Sequence, residues 1–197
     1  MKNIVRFLMV LCCWFSVNAF AYPISDKMPD KLQTFTDNLN TVSATFKQTK
    51  ILPESTKRFI SSGYVKFVKN VGFTWHQQKP SEEIFTSTLK QYCVNGENED
   101  LDKLPYFYRI QTMIDNMLNG DMSEFLYAFN TDYTEHKDSW TMVATPRLTA
   151  IADMIQDITI YGTTSDLTKV IMTYYDGTIV ILEFTGLTKE IADEIVC

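Results

Sequence analysis

FKQTKILPESTKRFISSGYVKFVKNVGFTWHQQ, residues 46–78, holds three strand-length runs of β-branched and aromatic residues. Pro53-Glu54-Ser55 and Asn70-Val71-Gly72 separate them, so the stretch reads as an antiparallel meander. In the second run the period of two places Phe59, Ser61, Gly63, Val65 and Phe67 on one face, and Ile60, Ser62, Tyr64 and Lys66 on the other. Aromatics on both faces predict a sheet with apolar material on each side.

Working outward, Leu32, Phe35, Leu39 and Val42 recur at helical spacing after Asp30, which predicts a short amphipathic helix over 29–42. Downstream, 83–87 and 90–94 continue the sheet, and the acidic stretch 95–102 (NGENEDLD) reads as a loop. Pro105 then opens a helix. Its apolar face is Tyr106, Phe107, Ile110, Met113, Ile114, Met117 and Leu118; its opposite face is Arg109, Gln111, Thr112, Asp115 and Asn116; Gly120 is placed to end it. Residues 125–134 and 139–144 read as a strand pair turning near 135–138, followed by an irregular or helical link from Pro146 to Ile155. A strand over 157–161 precedes a hairpin of 168–175 and 178–184 joined by Asp176-Gly177, and 188–196 closes as a short helix. The fold class is α+β, mainly antiparallel β.

The chain has 197 residues, 45% hydrophobic and 21% charged, a balance that suits one globular domain with its own core. A pI near 4.9 and a formal charge of −6 argue against nucleic acid and against anionic membrane surfaces as partners. Lys2 and Arg6 precede an apolar run over 7–17 that is too short to span a bilayer, and Asn18-Ala19-Phe20-Ala21 ends in small-x-small. The expected reading is a signal peptide over 1–21 and a single exported domain over 22–197. Cys12 and Cys13 in the apolar run leave a lipoprotein signal as the rival. Cleavage after Ala21 removes two cations and no anions, taking the formal charge from −6 to −8. It leaves Cys93 and Cys197, whose simplest state in an oxidising compartment is one disulfide; the alternative is two buried thiols.

The sequence shows no G-x-S-x-G, H-E-x-x-H, phosphate-binding Gly-rich loop or C-x-x-C. His136 lies among Asp132, Glu135 and Asp138, but in a turn where solvated charges are ordinary. No enzyme, metal site or cofactor is expected. A sheet of about ten strands that curls would instead present a concave apolar face capped by the helices. The Met-rich face of the central helix suits variable ligands, or it completes an ordinary core. Between Ser43 and Pro80 stand Lys47, Lys50, Lys57, Arg58, Lys66, Lys69 and Lys79 against Glu54 alone. This basic band would receive an anionic headgroup or an acidic partner, or would simply be a solvated sheet edge.

The ordered set Phe46-x-Gln48, Ser62-Gly63 leading to Phe67, Gly72-Phe73-x-Trp75 and Pro80, followed by Trp140-Thr141-Met142-Val143-Ala144-Thr145-Pro146, resembles the LolA family of periplasmic lipoprotein carriers, in its divergent branch. The resemblance implies an unclosed half β-barrel, a strongly curved sheet with helices capping its concave face. It implies a periplasmic chaperone that shields acyl chains of lipoproteins, or other lipids or glycolipids, between the inner and outer membranes. The chain would be a monomer working with an inner-membrane donor complex and an outer-membrane acceptor. The alternative is a lipid- or lipoprotein-sensing regulatory module of the same fold. Phe73 and Trp75 match the family's cavity-facing strand; Phe46, Val65, Phe67, Ile84, Trp140 and Met142 complete the expected cavity, and the central helix is the lid. Lys69 falls where founding carriers hold an arginine that latches the lid, and lysine lacks the arginine's planar fork.

Overall fold

The computed structural model describes residues 30–55, 57–88, 91–100, 112, 113 and 115–188. Helix α1 (Asp30–Asn38) leads into β1 (Thr41–Ile51), β2 (Arg58–Val68), β3 (Gly72–Lys79), β4 (Glu83–Thr88), β5 (Tyr92–Val94) and β6 (Glu97–Glu99). Helical residues 112, 113 and 115–118 form α2. Then come α3 (Ser123–Ala128), β7 (Phe129–Glu135), β8 (Trp140–Pro146), α4 (Thr149–Ala152), β9 (Ile155–Gly162), β10 (Leu167–Tyr174) and β11 (Ile179–Thr188). All eleven strands make one antiparallel sheet in the order β6-β5-β4-β3-β2-β1-β11-β10-β9-β8-β7. Two meanders are thus joined where β1 pairs with β11, and the outer strands β6 and β7 do not close on each other. This is the α+β half-barrel expected from the sequence.

Register aligns a row of side chains on each half of the sheet. Val65 on β2 faces Ala44 on β1 and Trp75 on β3, and Trp75 faces Phe85 on β4. On the other half, Leu182, Val170, Ile160 and Met142 follow in turn over β11 to β8. All of these are buried, and the face they share holds the core. At Gly63 only glycine fits, because a Cβ would overlap the His76 carbonyl oxygen of β3.

Three assignments differ from the sequence reading. Helix α1 ends at Asn38, so Val42 belongs to β1 and reaches the same interior from the strand. Residues 125–128, expected to be extended, belong instead to α3: Asp121 accepts hydrogen bonds from the Ser123 N–H (2.9 Å) and hydroxyl (2.6 Å), and Phe125 stacks on Phe129 one turn later at 4.8 Å. The acidic stretch is a β5–β6 hairpin, because Asn95 and Gly96 both adopt positive φ (52° and 84°), as a two-residue turn requires. Helix α2 ends as expected at Gly120 (φ 91°), whose N–H donates to Met117 O while Asp121 N–H donates to Asn116 O. Yet α2 does not keep a solvated polar face: Thr112 and Asp115 are as buried as Met113 and Met117. The expected helix over 188–196 falls on β11 at Thr188 and otherwise outside the described residues.

A candidate lipid cavity under two helices

Helix α1 lies over the concave face with Leu32, Phe35 and Leu39 buried, and Phe35 meets Trp140 at 6.1 Å between ring centres. Between α1, the end of α2 and the sheet remains a cavity of about 80 Å³. Its floor is Val42 and Ala44 of β1, Val65 and Phe67 of β2, Phe73 and Trp75 of β3, and Val170 and Leu182 of β10 and β11. Phe35, Leu39 and Leu118 form the roof, and Leu167, Phe184 and Leu187, only partly buried, form a rim at one end of the strands. Every described lining side chain is apolar. Such a wall offers no hydrogen bond and no charge, so it can only hold an apolar chain, through burial and dispersion.

The expected cavity residues divide into two groups. Val65, Phe67, Phe73, Trp75 and Leu118 line the space. Phe46 sits behind Trp75, stacked on it at 3.8 Å, and so braces the wall. Trp140 and Met142 share the concave face but lie under the part that is already filled: Trp140 packs on Phe35 and Tyr133, and its Nε1–H donates to the Thr163 carbonyl at 2.8 Å. Ile84 is on the opposite face, because the β3–β4 register pairs it with His76 and gives the inward place to Phe85. Met113 and Met117 are buried beneath α2 without reaching the cavity. Tyr106, Phe107, Ile110, Ile114 and Cys197 lie outside the described residues, and Cys93 is buried in β5. Period two from Phe46 already points to Ala44 and Val42, and the C-terminal hairpin alternates through Val170, Leu182 and Phe184, so the missed liners carried a readable signal.

The expected latch is divided between two residues. Lys69 Nζ donates to the Thr36 carbonyl of α1 at 2.9 Å and does not reach α2. Helix α1 has no basic residue in its last turn, so this ammonium supplies the charge that a helix C-terminus favours. Replacing Lys69 by Met should lower unfolding free energy by about 1–2 kcal/mol, measured by urea titration. Helix α2 is held instead by Asn119: its Oδ1 accepts the Asn70 N–H at 2.7 Å, and its Nδ2 donates to the Asp115 carbonyl at 3.0 Å and to Asp115 Oδ1 at 3.3 Å. Burial pushes the Asp115 carboxyl up to about 7, against hydrogen bonds from Ser87 and Asn119 that pull it down.

Other polar groupings stand apart from this cavity. His136 is in an exposed turn, its N–H donating to Ser139 O, while Lys31 Nζ donates to the His136 carbonyl and ties α1 to the turn. On the convex face His76 bridges Tyr64 Oη and Glu82 Oε1, each at 2.9 Å, away from the residues that line the cavity. No described helix is long and apolar enough to cross a membrane.

A family model for the outer membrane lipoprotein carrier protein LolA matches residues 37–194. No curated protein matches the chain in sequence. Among solved structures the chain is similar to a LolA superfamily protein, NE2245, from Nitrosomonas europaea, at 8% identity and TM-score 0.47, over 83% of this chain and 93% of that one. It is also similar to a chain in the Pseudomonas aeruginosa MucA/MucB complex at 14% identity and TM-score 0.41, over 80% of this chain and 54% of that one. With its sequence matched from the end of the first helix almost to the C-terminus, the chain belongs to the LolA family.

Proposed function

We propose that the chain is an exported periplasmic carrier that shields the acyl chains of lipoproteins, or of other lipids, between an inner-membrane donor and an outer-membrane acceptor. The observation that carries this reading is the cavity beneath α1 and α2, whose described lining is apolar throughout. A lipid chain gains about 0.8 kcal/mol for each methylene taken out of water, so an apolar interior is enough to hold it without a cofactor. At about 80 Å³ the cavity is well below the roughly 300–1,000 Å³ of sites that enclose drug-sized ligands. Loading therefore requires the helices to move apart, and Asn119 and Lys69 are the ties that would yield. Export would follow cleavage after Ala21, and Cys93 would pair with Cys197.

Native mass spectrometry of the protein purified gently from an envelope extract tests the reading. Bound lipid or acylated protein near one per chain is expected, on a polypeptide that begins at Tyr22 and resists thiol alkylation until reduced. An empty protein that also takes up no fluorescent acyl probe would remove the carrier reading and leave the regulatory module.

A further inference from the structure

We propose that the tip of the β1–β2 hairpin is a docking surface for an anionic phospholipid bilayer. Strand β2 begins at Arg58, but its pairing with β3 begins only at Ser62, opposite Lys79. The tip therefore projects past its neighbour. There Phe59 and Ile60 are 53% and 54% exposed, one on each face of the strand, so the end of the hairpin is an apolar wedge. The β10–β11 turn abuts it, with a Cβ on Gly177 falling 3.0 Å from Pro53 Cβ, and adds Tyr175, which is 63% exposed. Lys47, Lys50, Lys57 and Arg58 are all exposed around this wedge, against Glu54 and Asp176 and, opposite Lys47 on β11, Glu183.

Edge protection explains the cations but not the exposed Phe and Ile, which it would avoid. Apolar and aromatic side chains ringed by Lys and Arg are what an anionic bilayer interface receives: the rings enter the headgroup region and the ammonium groups stay with the phosphates. The whole-chain charge of −6 does not forbid this. Charges beyond about 8 Å are largely screened at physiological salt, so the tip is felt locally. The proposal goes beyond the carrier reading and does not need it. Docked by this tip, the molecule would hold the cavity rim at the other end of the strands, roughly 30 Å along β1 at 3.3 Å per residue, free for a protein that reaches that height.

The test is co-sedimentation of the processed protein with vesicles of phosphatidylglycerol and phosphatidylethanolamine, and with phosphatidylcholine vesicles. Binding to the anionic vesicles alone, weakening with salt, is expected. Phe59→Ser/Ile60→Ser and Lys50→Glu/Lys57→Glu/Arg58→Glu should each weaken it by at least about tenfold while leaving far-UV circular dichroism and acyl-probe uptake unchanged. No binding to anionic vesicles, or binding that both variants retain, overturns the proposal; so does capture of an acidic protein by a tip that ignores vesicles. A wild-type protein that sediments with vesicles yet takes up no acyl probe keeps the docking surface and removes the carrier reading instead.

Discussion

Ala44→Leu is expected to make the fold more stable and to abolish acyl-chain uptake at the same time. Ala44 is buried in β1, between Val65 and the C-terminal half of the sheet, and its methyl group faces the cavity. Sealed apolar volume costs about 24 cal/mol per Å³, so a space of about 80 Å³ costs the fold at most about 2 kcal/mol. A leucine there occupies the space a lipid methylene would take, and the gain is bounded by that figure less any strain from imperfect fit. Fluorescent acyl-probe titration should show affinity reduced by a factor of about 100 or more, while urea denaturation shows a higher midpoint. The pairing of the two readouts is the point. A carrier retains an expensive void because the void is its binding site, whereas a packing defect can be filled without consequence. If the variant is stabilised and still takes up the probe at wild-type affinity, the cavity is such a defect and the carrier reading fails.

Much of this arrangement was legible in the sequence, and the parts that were not share a cause. Strand-length runs over residues 46–78 predicted β1, β2 and β3, and alternation put Val65 and Phe67 on one face; that this face and Phe73 turn inward was implied by the family resemblance, not by the period. Ile84 was misplaced because its side is set by cross-strand register: only the pairing of Trp75 with Phe85 decides that Ile84 turns away. Trp140 looked like cavity lining because it shares the face, but what fills that part of the face is Phe35, which arrives from a distant helix. The burial of Asp115 could not be read from α2 alone either. Helical periodicity put Asp115 and Thr112 on the polar side, and the side was buried by tertiary packing. Asn119 carried a weaker signal, a polar residue just before a helix-ending glycine, with nothing to say it would meet Asn70.

That buried carboxyl gives the fold a dependence on pH that Asp115→Asn should remove. In the unfolded chain Asp115 titrates near 3.8; in the native state burial raises it to about 7. Between those values the folded protein holds a proton that the unfolded one has released, so stability falls as pH rises. The contribution is complete below about 3.8, declines through the window and is level above about 7. Three pKa units correspond to about 4 kcal/mol over the window, as an order of magnitude. Asp121 and Asp176 shift the other way, lowered chiefly by hydrogen bonds from Ser123 and Thr178, and so act below the ordinary carboxylate range, outside this window. Ser87 and Asn119 face Asp115, and among charged or titrating groups Tyr92 and Glu124 are nearby; burial, then Glu124 and Asp115, raise the Tyr92 phenol. Asparagine keeps the size and the hydrogen-bonding capacity of the protonated acid but cannot ionise. Urea unfolding should therefore find variant and wild type converging below about pH 4, the variant ahead by roughly 1–2 kcal/mol at pH 5 and by about 4 kcal/mol at pH 8. The same substitution bears on loading. An ionised Asp115 weakens the seat of α2, the element whose last turn roofs the cavity, so the wild type should take up an acyl probe faster at pH 8 than at pH 5, and the variant should show no such difference. Parallel stability curves for the two proteins between pH 5 and pH 8 would mean that Asp115 reaches water in the native state and that α2 is not held against a buried acid.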